Sequence, residues 1–161
     1  MATPRKPPST IIRERGKVTI FTIGYEQRTG KDLIAALKKA GVEHLADIRK
    51  KPISRKADFR AKALRQLCEK AGIEYGPWPY LGATEEMRER VKATGDFAAF
   101  HKEFRAYAKK CLKEPIKRLA AVAEGKVVAL LCYERAHEEC HRRTIAALVA
   151  DELDAGIVAI L

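Results

Sequence analysis

Two short segments near the end of the chain concentrate the residue types that do chemistry. Cys132-Tyr133-Glu134 closes an apolar run, and Cys140-His141-Arg142 opens an amphipathic one. If a strand and a helix meet there, a thiol, a carboxylate, an imidazole and a guanidinium share one pocket. Cys132 and Cys140 are the candidate nucleophiles, Glu134 and His141 the candidate acid or base, and Arg142 a candidate anion holder. A helix amino terminus lowers a thiol pKa, which favours a thiolate at Cys140, and His141 or Arg142 reinforces it. The plainer reading of a free cysteine is a small buried apolar side chain; it is the reading adopted for Cys68 and Cys111, which fall on amphipathic stretches. No metal and no cofactor are expected. Cys132, His137, Cys140 and His141 offer four ligands, but their spacing fits no usual paired motif, and adjacent Cys140 and His141 would point apart on a helix. A phosphatase-type or sulfurtransferase-type loop after Cys132 would carry Arg six residues on, where Glu138 stands.

A second group of polar residues falls where other strands are expected to end. Gly24-Tyr25-Glu26 follows the first, and Asp47-Ile48-Arg49 ends the second. There Asp47 and Arg49 face one side and form either an anion holder with its orienting carboxylate or a structural ion pair. Trp78, Tyr80, Tyr25 and Tyr133 fall in or beside the same mouth, where aromatic rings could stack a base; for Trp78, between two prolines, packing is the safer reading. Neither a Gly-x-Gly-x-x-Gly segment nor a Walker-type loop is present, so the usual dinucleotide and ATP sites are not indicated.

Charge points to an anionic partner. Five bases against Glu14 in residues 1–17, and eight against Asp58 in residues 49–65, account for the whole net charge of +11. The second segment contains Arg49, Lys50, Lys51, Arg55 and Lys56. Two basic segments on a neutral body suit nucleic acid or a phosphorylated small molecule, or else serve solubility. No run approaches the apolar length of a membrane span and the start lacks the apolar block of a secretory signal, so a cytoplasmic protein with reduced thiols is expected.

The elements that must position these residues alternate. Residues 1–17 read as a flexible basic arm, rich in Pro and Ser without period. Val18–Ile23 reads as a buried strand, Lys31–Ala40 as a helix, His44–Ile48 as a strand, and Asp58–Lys70 as a helix with Phe59, Leu64 and Leu67 inward. A third strand over Ile73–Tyr75 leads into Gly76-Pro77-Trp78-Pro79-Tyr80-Leu81-Gly82, read as loop. One or two helices follow between Glu85 and Val122, with Pro115 a kink or a new start. Val127–Leu131 is a central strand, Cys140–Leu153 the last helix, and Gly156–Ile160 the last strand. Short connections between such units imply one α/β domain over 18–161, a three-layer, Rossmann-like sandwich with a mainly parallel sheet, whose ligands bind at the strands' carboxyl ends.

The order of these pieces resembles the domain of unknown function 488 (DUF488) family, to which the YeaO-like proteins belong. The matching residues are Thr22-Ile23-Gly24-Tyr25; Asp47-Ile48-Arg49 with Pro52 and Ser54-Arg55; Phe59; Leu81-Gly82; Leu130-Leu131-Cys132-Tyr133-Glu134; and Cys140-His141-Arg142. The resemblance implies the α/β fold and the importance of the Cys, Glu and Cys-His-Arg positions, and it implies no substrate. Many relatives carry His-Ser after the glycine where this chain has Tyr25-Glu26, so no role of that His carries over. The expected function is an anion-binding protein associated with nucleic acid or nucleotides, with a pocket able to do catalysis; Gly24, Tyr25, Asp47, Arg49, Arg55 and Arg142 are its expected binding residues. The alternatives are a small-molecule enzyme with a Cys132 or Cys140 thiolate, and a noncatalytic interaction module.

Overall fold

The structure, a computed structural model, describes residues 18–135 and 140–160. The basic arm expected over 1–17, His137 and Glu138 lie outside the described residues. There are five strands among the described residues: β1 (Thr19–Gly24), β2 (His44–Asp47), β3 (Glu74–Pro77), β4 (Val128–Cys132) and β5 (Gly156–Ile160). They make one all-parallel sheet in the order β3-β2-β4-β1-β5. All five residues of β4 are buried, because helices cover both faces of this middle strand.

Helices α1 (Gly30–Lys39) and α2 (Ala61–Lys70) cover one face, where Leu33, Leu37 and Leu64 pack on Phe21, Ile23 and Leu131. Helices α3 (Glu85–Thr94), α4 (Phe97–Cys111), α5 (Lys113–Gly125) and α6 (Arg142–Leu153) belong to the other, where Phe104, Leu119 and Ile145 pack with Ile20 and Leu130. The result is the three-layer α/β sandwich expected from the alternating pattern. Among the described residues no helix is long and apolar enough to cross a membrane.

Several boundaries differ from expectation, each for a physical reason. Residues 57–59 form a separate 3₁₀ turn because Arg60 is extended (φ −70°, ψ 143°), so α2 starts at Ala61. Phe59 is still buried, but Cys68, one helical turn after Leu64, takes the fully inward place expected of Leu67. β3 runs on through Pro77, which an edge strand tolerates because its outer side needs no ladder donor. Residues 79–81 then form a 3₁₀ turn rather than open loop.

Three helices, not one or two, occupy Glu85–Gly125: Gly95 adopts φ 67°, which ends α3, and the Asp96 side chain accepts from Ala99 N to start α4. Pro115 sits in the first turn of α5, where its missing N–H costs little. Cys111, expected to be buried, is exposed; Phe100, Phe104 and Ala108 set the inward stripe of α4, and Leu112 continues it. α6 starts at Arg142, which leaves Cys140 and His141 in the preceding turn.

At the opposite end of the sheet from the carboxyl termini, buried His44 links two elements. Its Nε2 receives the indole N–H of Trp78 at 3.3 Å and its Nδ1 lies 2.6 Å from Glu74 Oε1, so the neutral Nδ1–H form satisfies both contacts. Trp78 thus packs on His44, away from the strands' carboxyl ends. Burial lowers the His44 pKa, outweighing the Glu74 interactions that raise it. A folded pKa below the unfolded value of 6.5 means that the unfolded chain takes up a proton first as pH falls. Stability is therefore expected to decline as pH drops below 6.5 towards the folded pKa, and His44→Gln to flatten that part of the profile in urea denaturation.

Candidate functional site

The chemistry-bearing residues meet where β1 and β4 lie side by side. β1 leads into α1 on one face and β4 towards α6 on the other, so their carboxyl ends open a crevice between diverging connections. Gly24 and Cys132 are paired last residues of the two strands. The ladder continues beyond them: Tyr25 N–H donates to Cys132 O (3.2 Å) and Glu26 N–H to Tyr133 O (2.8 Å).

Close approach of the backbone requires glycine at position 24. A Cβ there would lie 1.9 Å from the Glu134 carbonyl oxygen, so only glycine lets the segment after β4 cross this point. Arg142, buried, clamps the same segment by donating from Nη1 to Glu134 O and from Nη2 to Arg135 O (3.0 Å). Its Nε has no partner among the described residues. Of this guanidinium, expected to hold an anion, Nη1 and Nη2 donate to backbone carbonyls.

The four candidate catalytic side chains converge. Cys132 Sγ lies 3.3 Å from Glu134 Oε2 and 3.6 Å from His141 Nδ1, and Cys140 Sγ is also 3.6 Å from His141 Nδ1. His141 Nε2 is 3.0 Å from Ile48 O; a carbonyl only accepts, so Nε2 carries a proton and Nδ1 is turned to the sulfurs. The ring edge of Phe104 meets the imidazole at 5.6 Å. Because Cys140 and His141 precede α6 instead of lying on it, they point together, contrary to the geometry that argued against shared ligation.

Burial works against charge on every member of this cluster, and the neighbours decide the outcome. Burial opposes ionisation of Cys132, but the hydrogen bond from Cys140 and the His141 and Arg142 charges overcome it and bring that thiol well below its ordinary value. Burial, then the Cys132 hydrogen bond and charge, push Cys140 well above. Of the two sulfurs, Cys132 is therefore the more readily ionised, not the Cys140 that the helix-terminus argument favoured. His141 is raised, burial being outweighed by Cys132, and burial with the Cys132 charge lifts Glu134 to about 7.

Above the cluster lies a cavity of about 610 Å³. Tyr25, Tyr133, Val91, Phe97 and Phe100 supply apolar wall, and Lys50, Lys51, Arg88 and Lys92 supply positive charge. Tyr25 is fixed by stacking on Phe59 (4.5 Å between centroids) and meets Tyr133 edge-on at 5.3 Å.

A model of the family described as "Domain of unknown function DUF488" matches residues 29–149. The chain belongs to this family. No curated protein and no solved structure matches the chain. The DUF488 match spans β2, β4 and both segments of the cluster, so Cys132, Glu134, Cys140 and His141 are part of the DUF488 body of the chain.

The remaining expected residues divide. Arg49 lines the cavity, yet its Nε and Nη2 bond both Asp47 oxygens (2.8 and 2.7 Å), and its Nη1 bonds Phe59 O (2.7 Å) and Tyr25 OH (3.4 Å). This is the structural ion pair, one of the two roles foreseen for Asp47 and Arg49. Arg55 is exposed and is not among the cavity's lining residues, although Ile53 of the same loop is. Tyr80 is exposed on a neighbouring hollow. Arg88 and Lys92 were not foreseen; their signal is the helical i, i+4 spacing beside Val91, which on sequence alone reads as an ordinary solvated face.

Proposed function

We propose that the protein binds an anionic, phosphate-bearing ligand, a nucleotide or the end of a nucleic-acid strand, in the cavity, and that the cluster of Cys132, Glu134, Cys140 and His141 acts on it. The observation that carries this reading is the charge of the lining. Lys50, Lys51, Arg88 and Lys92 surround the cavity from two different elements, and Glu134 is the one carboxylate among the described lining residues. Lysine and arginine attract phosphate over a distance and release its counterions, while the aromatic and aliphatic wall suits the flat apolar face of a base.

The test is a titration of fluorescent nucleotides and of single-stranded and duplex oligonucleotides at two salt concentrations. Binding is expected to weaken steeply with salt and to survive removal of residues 1–17. The Lys50→Glu/Lys51→Glu and Arg88→Glu/Lys92→Glu pairs are each expected to weaken it and to reduce the salt slope by about two. Lys109→Glu/Lys110→Glu, on exposed positions of α4 away from the lining, leaves the affinity nearly unchanged. Binding carried only by residues 1–17, or equal loss from every pair, would sink the reading.

A second reading, thiol chemistry on a small anionic molecule, is favoured by the contact between Cys132 Sγ and His141 Nδ1. It requires Cys132 to be free. Its measure is fast alkylation mapped to Cys132 near neutral pH, counted apart from that of the exposed Cys111.

A further inference from the structure

Beyond anion binding, we infer that Cys132 Sγ, Cys140 Sγ and His141 Nδ1 form a three-ligand zinc site whose fourth position faces the cavity beside Glu134. The three donor atoms all lie within 4.8 Å of one another. Zinc–sulfur bonds of about 2.3 Å and zinc–nitrogen bonds of about 2.0–2.1 Å, set at the tetrahedral angle, hold sulfur and nitrogen about 3.6 Å apart. Both sulfur-to-Nδ1 distances here are 3.6 Å.

The surroundings have the features of a metal's supporting shell. The Nε2–H of His141 is held by Ile48 O at 3.0 Å, which fixes the ring and leaves the Nδ1 lone pair for a metal. Cys132 ends a buried strand, and Cys140 and His141 are buried in the turn before α6, so all three donors are held in the interior. Two thiolates and an imidazole select zinc over magnesium or calcium, which take oxygen ligands. Binding takes both sulfurs as thiolates, so the thiol protons still held, above all that of Cys140, are released to solvent.

Among the described residues the ligands number three, and three protein ligands with a fourth position open is the pattern of zinc that acts on a bound oxygen rather than zinc that only staples a fold. Glu134, with Oε2 3.3 Å from Cys132 Sγ, stands where it can take a proton from water held at that position. The basic lining then draws a phosphate-bearing ligand over the metal. The seven residues between Cys132 and Cys140 hide the site from spacing rules, because the convergence is made by the end of β4 and the turn before α6.

The experiment is to load the full-length, reduced protein with zinc and separately with cobalt, dialyse, and measure metal content, the cobalt absorption spectrum and the alkylation rates of the cysteines. One zinc per chain is expected. Cobalt should show sulfur-to-metal charge transfer and the intense visible bands of a tetrahedral site. Zinc should slow alkylation of Cys132 and Cys140 at least tenfold and leave Cys111 unaffected.

Cys132→Ser, Cys140→Ser and His141→Gln should each lose metal, and Cys68→Ala and Cys111→Ser should keep it. The wild-type cobalt spectrum and alkylation rates decide the matter even where a variant misfolds. Zinc well below one per chain, a cobalt spectrum without sulfur charge transfer, metal retained by a Cys132→Ser/Cys140→Ser double variant, or a Cys132–Cys140 disulfide in metal-loaded protein would each overturn the inference. Anion titration of the same zinc-free and zinc-loaded samples is read separately, so failure of the metal site and failure of the anion reading are distinguishable.

Discussion

Asp47→Ala is expected to lower the unfolding free energy by about 3–5 kcal/mol, a loss that urea denaturation can measure directly. Asp47 is 1% exposed and Arg49 6%. One carboxylate oxygen accepts from Arg49 Nε and backbone N–H, and the other from Arg49 Nη2 and the Tyr75 hydroxyl. Removing the carboxylate strands a guanidinium in the interior, where solvation cannot replace the lost partner. Burial opposes the charge on Arg49, yet Asp47 and Tyr25 hold its pKa above the ordinary value, so the group stays charged and needs its partner.

Asp47→Leu combined with Arg49→Met should recover much of the loss, since an apolar pair of similar volume carries no stranded charge. Tyr75→Phe should cost only about 1 kcal/mol or slightly more, the range of a single hydrogen bond to a charged group. A loss below about 1 kcal/mol for Asp47→Ala would mean that water reaches Arg49 and would contradict its burial.

The second large effect is at Gly24. Gly24→Ala is expected to cost about 3 kcal/mol, the upper end of overpacking penalties, and to weaken metal binding by about 10–100-fold, as loss of a supporting contact does. The added methyl would meet Glu134 O at 1.9 Å, Glu134 C at 2.5 Å and Arg135 Cα at 2.8 Å, all of them backbone atoms that no rotamer change can move aside. The segment after β4 must lift, and Glu134 moves away from Cys132 and the cavity. Gly125→Ala is the control: nothing lies within 4 Å of its added methyl, at the end of α5, so it should be neutral or slightly stabilising. Equal effects from both would show that the crossing at Gly24 is not tight.

Fold and site were legible to different degrees. Val127–Leu131 could be placed in the middle of a parallel sheet because five apolar residues without alternation suit a strand covered on both faces, and the strand runs one residue later, over Val128–Cys132. The carboxyl ends of β1, β2 and β4 follow from strand direction alone, which is why Tyr25, Arg49, Cys132 and Glu134 were foreseen at one mouth. The start of α6 was not legible. Cys140 and His141 fit a helical period as well as a turn, and that choice reverses whether their side chains diverge or converge.

By itself, then, the sequence determined the alternation of strands and helices, the parallel sheet and the segments that reach its carboxyl edge, because these depend on local periodicity and on residues that start or stop elements. Only the tertiary structure decided what each charged side chain faces. Arg49 turns to Asp47, and Arg142 to the Glu134 and Arg135 carbonyls, because a buried guanidinium needs protein acceptors in place of water. Arg88 and Lys92 face the cavity because α3 packs beside α4 and α4 in turn packs on α6, and the α4–α6 contacts join residues far apart in sequence that no local pattern encodes.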